Sequence, residues 1–88
     1  MPELLRAAAF RFKAALAGLL QNLGDRTIGK EDGPAADLQG ALVELEQTEE
    51  SQINTVADAN VAAQIRAWLA LYQHAVPIAL QLARLQAG

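Results

Sequence analysis

The chain has 88 residues, no cysteine and a formal net charge of −3. This length supports one domain at most, which would bury only about 60–65% of its unfolded surface. The lack of cysteine excludes disulfides and thiolate metal sites, and the mildly acidic balance disfavours direct nucleic-acid binding. Ala, Leu and Gln dominate and β-branched and aromatic residues are few, so the composition predicts an all-α fold.

The charges are sorted into blocks along the chain. Residues 1–30 carry five basic and two acidic side chains, whereas residues 31–60 carry eight acidic side chains and no basic one. Residues 61–88 carry only Arg66 and Arg84 as charged side chains. We expect the basic block to pair with the acidic block, within a chain or between chains, since such pairing fixes helix register and disfavours wrong pairings.

The first predicted helix covers residues 2–23. Pro2 suits a first helical turn, and Gly24 suits the left-handed position just past a helix end. At about 100° per residue, one face is apolar and forms the predicted core face: Leu5, Ala8, Ala9, Phe12, Leu16, Leu19, Leu20 and Leu23. Phe10 lies on the far side, where the core does not need it, and is therefore an interface candidate.

Residues 24–34 contain three glycines and one proline, which predicts a break between helices. The segment is longer than the usual bundle connection of about 2–8 residues, so it is either functional or mobile. The second predicted helix covers residues 34–56, with Asp32 or Gly33 as its cap. Its predicted core face is Leu38, Leu42, Leu45, Ile53 and Val56.

Glu49 interrupts that face if the second helix is continuous. Either the helix breaks between Gln47 and Thr55, or Glu49 points into an interface and needs a basic partner. Thr55 and Asp58 resemble a capping box that opens a new helix, and this favours the break.

The third predicted helix covers residues 58–86, and Pro77 predicts a kink within it, because proline removes a backbone hydrogen bond. Polar residues keep their phase on both sides of Pro77, which favours one kinked helix over two. The predicted core face is Val61, Ile65, Trp68, Leu69, Tyr72, Val76, Ala79 and Ala83. A second apolar row, made of Leu71, Ile78 and Leu85, lies on the other flank.

The apolar arc of this third helix spans about 200°, whereas a surface helix needs a stripe somewhat over 100° wide. One row would stay exposed in a three-helix monomer. We therefore predict a two- or three-helix antiparallel hairpin or bundle that forms a homo-oligomer or binds a protein partner. The interface candidates are Phe10, Trp68, Leu71, Tyr72, Ile78 and Leu85, although Trp68 and Tyr72 also fit core packing.

Few side chains are suited to catalysis or metal binding. Glu44, Glu46, Glu49 and Glu50 form an acidic cluster, which is either a solvated helix face or a surface that steers a basic partner. The only histidine, His74, has no acidic residue three positions before it, as helical di-metal sites require. We expect no catalytic residue, no metal and no cofactor.

The leading hypothesis is a non-enzymatic protein–protein interaction module, such as an adaptor, chaperone, inhibitor or assembly subunit. The alternative is an acidic decoy that occupies a nucleic-acid-binding surface on its target. Membrane contact is disfavoured because Arg6, Arg11 and Lys13 do not form one stripe. Neither a membrane span nor a secretory signal is predicted, so we expect cytoplasmic residence.

Overall fold

The computed structural model describes residues 2–25 and 28–87, which form an all-α three-helix bundle without any strand. Helix α1 is Glu3–Gln21, α2 is Pro34–Gln52 and α3 is Ala59–Ala87, with a short 3-10 turn, Ile53–Thr55, between α2 and α3. All three helices contribute buried residues to one hydrophobic cluster. The molecule measures 46 × 19 × 16 Å. It is elongated because the 29 residues of α3 rise about 1.5 Å each.

Helix α1 ends at Gln21, two residues earlier than predicted. The backbone N–H of Asn22 donates to the Leu19 carbonyl, and its side-chain Nδ2 donates to the Gly18 carbonyl at 2.7 Å. These bonds satisfy carbonyls that a helix end leaves without partners. Gly24 has a φ of +90°, the left-handed conformation predicted for it.

The connection between α1 and α2 contributes to the core through Ile28, which is buried. Its backbone N–H donates to the Asp25 carbonyl at 3.1 Å, and its own carbonyl accepts from the Ala35 N–H at 3.0 Å. Ile28 belongs to the same hydrophobic cluster as Ala83 and lines a hollow together with Leu80 and Ala83 of the C-terminal part of α3. This core role was not predicted, and residues 26 and 27 lie outside the described residues.

Helix α2 begins at Pro34 as predicted, with Gly33 rather than Asp32 as its cap and no side-chain hydrogen bond at that end. Its α-helical part ends at Gln52, so the predicted helix over residues 34–56 is too long. The Ile53 N–H still bonds to the Glu49 carbonyl, and the chain then tightens into the 3-10 turn. The structure shows the first of the two alternatives for Glu49, in which the helix breaks between Gln47 and Thr55. Glu49 itself lies partly buried in the last turn of α2.

Helix α3 is capped by Asp58. Its Oδ1 accepts from the Asn60 N–H at 2.8 Å and from the Val61 N–H at 3.4 Å. The Thr55 hydroxyl instead donates to the Gln52 carbonyl at 2.6 Å, within the preceding turn. The predicted capping box of Thr55 and Asp58 is therefore wrong, since Asp58 alone caps α3.

Helix α3 continues through Pro77, so the prediction of a single helix is confirmed. The exposed Pro77 has no N–H to give to the Gln73 carbonyl. The extent of a bend at Pro77 stays a prediction.

Aromatic side chains join α3 to α1. The Phe12 ring stacks on Tyr72 with centroids 4.6 Å apart and an interplanar angle of 25°. Trp68 tilts against the same Tyr72 ring at 4.6 Å and 57°. One predicted core residue of α1 is wrong, because Leu20 is 45% exposed. It lies about 80° round the helix from Phe12, at the edge of the buried face.

The two phenylalanines provide a matched test of this core, because Phe12 is 0% exposed and Phe10 is 74% exposed. We expect Phe12→Ala to lower the free energy of unfolding by about 3–5 kcal/mol, since it removes a fully buried ring. Phe10→Ala should change it by less than about 0.5 kcal/mol. Urea denaturation followed by circular dichroism measures both, and equal effects would contradict the described core.

The cap of α3 has its own test. We expect Asp58→Ala to cost about 1 kcal/mol of stability, because two backbone N–H groups lose their acceptor. Thr55→Ala is the control and should cost clearly less, since Thr55 does not cap α3. A larger loss for Thr55→Ala in the same denaturation measurement would restore the predicted capping box.

Candidate interaction surface

Four large apolar side chains are exposed along one side of α3. Leu71, Ile78 and Leu85 are 68%, 64% and 72% exposed, and Leu82 is 38% exposed. Spacings of three, four and seven residues place them on one helix face. We call these four residues the outer stripe. The exposure predicted for Leu71, Ile78 and Leu85 is confirmed, and Leu82 is an addition that the sequence interpretation missed.

The outer stripe lies in a surface without charge. No Asp, Glu, Lys or Arg occurs between residues 67 and 83, and the exposed neighbours Ala67, His74 and Gln81 are uncharged. At about 100° per residue, Arg66 and Arg84 lie more than a quarter of a turn from the outer stripe. Contiguous exposed apolar surface of this kind marks interaction sites in soluble proteins.

Trp68 and Tyr72 divide between the core and this surface. Tyr72 packs on Phe12, so its ring serves the core. Trp68 is partly buried, and the Lys13 ammonium lies 5.7 Å from its ring centroid. Trp68 also lines a hollow of about 230 Å³ with three other residues of α3, which are Val61, Gln64 and Ile65. Trp68 therefore connects the core to the exposed side of α3.

Phe10 is exposed but is not part of the same surface. It precedes Phe12 by two residues and so lies about 200° round α1 from that buried ring. The structure thus separates the predicted interface candidates. Leu71, Ile78 and Leu85 lie together, Trp68 is at their edge, Tyr72 is in the core and Phe10 stands apart.

The basic and acidic blocks meet within the chain, which is one of the two arrangements expected from the sequence. Arg11 of α1 binds Glu44 of α2 through two parallel contacts, Nε to Oε2 at 3.1 Å and Nη2 to Oε1. Both side chains are about half exposed, at 53% and 45%. Solvent therefore screens the pair, and its main effect is to fix the register of α1 against α2.

The four predicted acidic residues are in different environments. Glu44 is paired with Arg11, and Glu46 accepts a hydrogen bond from the Gln73 amide of α3 at 2.7 Å. Glu49 is partly buried and Glu50 is exposed. Half of the cluster is therefore engaged in holding α2 against its neighbours.

A hollow of about 390 Å³ lies between the α1–α2 connection, the start of α2 and the end of α3. Its described lining has two polar side chains, Gln39 and Arg84, and both are exposed. Ligand sites bring several polar groups together in a sheltered space, which this hollow does not do.

Over the described ranges, no three His, Cys, Asp or Glu side chains are grouped so that they could hold a metal ion. None of the helices described is long and apolar enough to cross a membrane.

The Arg11–Glu44 pair can be tested with a double-mutant cycle. We expect Arg11→Ala, Glu44→Ala and the double variant to give a coupling energy of about 0.2–1 kcal/mol, because the pair is half exposed. Salt should reduce this coupling. A coupling energy near zero at low salt, measured by urea denaturation, would contradict the contact.

Comparison with protein-family models, with curated proteins and with solved structures finds no match for this chain. Function is therefore inferred from the spacing, exposure and charge of the residues described above.

Proposed function

We propose that this protein is a non-enzymatic interaction module that binds a helical protein surface through the outer stripe of α3. The single observation that carries the proposal is the exposure of Leu71, Ile78, Leu82 and Leu85 on one uncharged helix face. The composition also supports it, because the chain has no cysteine and one histidine. Cytoplasmic residence stays a prediction from the sequence.

The outer stripe supplies part of the free energy that association requires. Full burial of a Leu or Ile side chain contributes about 1.5–3 kcal/mol, so the exposed fractions of the outer stripe correspond to about 4–7 kcal/mol. Association costs about 4–15 kcal/mol in lost translational and rotational freedom. One such face offsets only the low end of that cost. A stable complex therefore needs a partner with a matching apolar face of its own.

The spacing of the outer stripe favours a helix as that partner surface. Side chains at intervals of three, four and seven residues form a ridge along α3, and such ridges pack into the grooves of another helix. The acidic residues of α2 would act at a distance, by affecting the rate of encounter more than the affinity.

The acidic decoy has less support. Decoy binding would require free carboxylates, whereas Glu44 is paired with Arg11 and Glu46 is bound by Gln73. The decoy therefore stays a prediction from the sequence, behind the interaction module.

Site-specific photo-crosslinking in the native host tests the proposed function, with Leu4 as a matched control. Leu4 and Leu71 are both leucines on exposed helix surfaces, at 62% and 68% exposure, but Leu4 belongs to α1. We expect a photoreactive residue in place of Leu71 to form an adduct of higher mass on irradiation. The same residue in place of Leu4 should form little or none.

Absence of an adduct at Leu71, or equal adducts at both positions, would contradict the proposed use of the outer stripe. Leu71→Gln should also raise the dissociation constant of the complex about tenfold, because it replaces apolar contact with a polar group. Leu4→Gln should leave that constant unchanged.

A further inference from the structure

We infer that the outer stripe is covered by a second copy of this chain, docked antiparallel along α3. This inference rests on the proposed function and names the partner. The partner is identified by the spacing of α3, by the sizes of the side chains along it and by the absence of charge.

The outer stripe is part of a longer apolar seam. Alternating steps of three and four residues connect Val61, Gln64, Trp68, Leu71, Ala75, Ile78, Leu82 and Leu85, which we call the outer seam. This is the a/d spacing of a coiled coil, sustained over more than three heptads. Gln64 is its one polar position.

A neighbouring side of α3, about 100° round the helix, carries a second seam with the same spacing. Its members are Ile65, Leu69, Tyr72, Val76, Ala79 and Ala83, which belong to or pack against the core cluster. Helices α1 and α2 cover this inner seam. The outer seam has the same periodicity. Its members Val61 and Trp68 pack against the edge of the core cluster, and Lys13 of α1 lies beside Trp68. The four leucine and isoleucine side chains of the outer stripe stay exposed, so one further helix would complete the packing of α3.

Side-chain sizes along the outer seam match in the antiparallel arrangement. If the twofold axis passes between Leu71 and Ala75, each Leu71 meets the small Ala75 of the second copy, and each Trp68 meets its Ile78. These are the a-to-d layers of an antiparallel pair. Large side chains thus face smaller ones, which fills the space between two helices without voids.

The ends of the outer seam are also complementary. The hollow lined by Val61, Gln64 and Trp68 lies at one end, and the exposed Leu82 and Leu85 lie at the other. An antiparallel twofold axis places the leucines of each copy at the hollow of the other. A surface that carries both the projection and the hollow satisfies a symmetric interface, in which the same patch is used twice.

A parallel pair does not have this match. It would place Trp68 against Trp68 and Ala75 against Ala75, so one layer would be crowded and another would leave a void. The two hollows would face each other, and the projecting leucines would meet only themselves. The geometry therefore favours the antiparallel pair.

The charge distribution is compatible with an identical partner. Each copy has a net charge of −3, but the outer seam itself carries no charged side chain. Gln73, which contacts Glu46 of α2, lies about 160° round α3 from Leu71, so the acidic helix is on the far side. The ammonium of Lys13 in α1 lies beside the outer seam, 5.7 Å from the Trp68 ring centroid. In the antiparallel arrangement the two Trp68 residues are about 15 Å apart along the helices, so the two ammonium groups do not meet.

Sedimentation equilibrium of the purified full chain tests for the second copy. We expect a species of twice 9.4 kDa that dissociates on dilution. Leu71→Gln should raise the dimer dissociation constant at least tenfold, whereas Leu4→Gln should leave it unchanged. A wild-type chain that stays monomeric throughout would overturn the inference.

The orientation is tested with spin labels, since the chain has no cysteine of its own. Asn60→Cys places a label near the start of the outer seam. In the antiparallel dimer the two labels should be about 40 Å apart, because 26 residues of helix separate position 60 from its opposite number. His74→Cys is the control near the twofold axis, and its labels should be close together.

A short distance at both labelled positions would indicate a parallel dimer and overturn the stated orientation. A long distance at position 74 would show that the dimer does not use the outer seam. The photo-crosslinking described above separates this inference from the proposed function. An adduct at Leu71 that contains a different protein, with a monomeric purified chain, would overturn the second copy and leave the interaction module supported.

Discussion

The exposure of the outer stripe depends on the contact between Phe12 and Tyr72. The Phe12 ring is fully buried and stacks on Tyr72, and Trp68 leans on the same ring one turn away. Aromatic contacts of this kind contribute beyond the area that they bury and have a preferred geometry. They fix the rotation of α3 about its own axis, and this rotation determines that Leu71 points to solvent.

The charged residues have a different part in the molecule from the apolar ones. Arg11 and Glu44 connect α1 to α2, and Gln73 and Glu46 connect α2 to α3. Exposed contacts of this kind contribute little to stability, but they penalise a helix that is shifted or rotated. Apolar burial therefore supplies most of the stability, and the polar contacts select one arrangement of the helices.

Much of the fold could be predicted from local patterns. The 3.6-residue periodicity identified all three helices, and the Gly33-Pro34 pair marked the start of α2. Gly24 indicated the end of α1 to within two residues. These signals lie in neighbouring residues, so they can be read without knowing the tertiary structure.

The remaining features depend on contacts between residues that are distant in the chain. Ile28 is buried in one cluster with residues of all three helices, and no local pattern shows this. Leu20 lies at the edge of its helix face, where a neighbouring helix decides between burial and exposure. Thr55 and Asp58 both suit a helix cap, and only the path of the chain between them determines which one caps α3.

The candidate surface was partly predicted, since Leu71, Ile78 and Leu85 stood out as a surplus row, whereas Leu82 did not.

The uncharged flanks of the outer seam have a consequence for selectivity. Coiled coils commonly reject incorrect partners through charged residues beside the seam, and α3 has alanine, histidine and glutamine there instead. In the proposed dimer, discrimination between competing helices would then depend on volume: a second ring does not fit opposite Trp68, and the small Ala75 leaves room for a larger side chain such as Leu71. Substitutions that merely exchanged these two side-chain sizes would make the surface fit a different helix, without altering a single ionisable group.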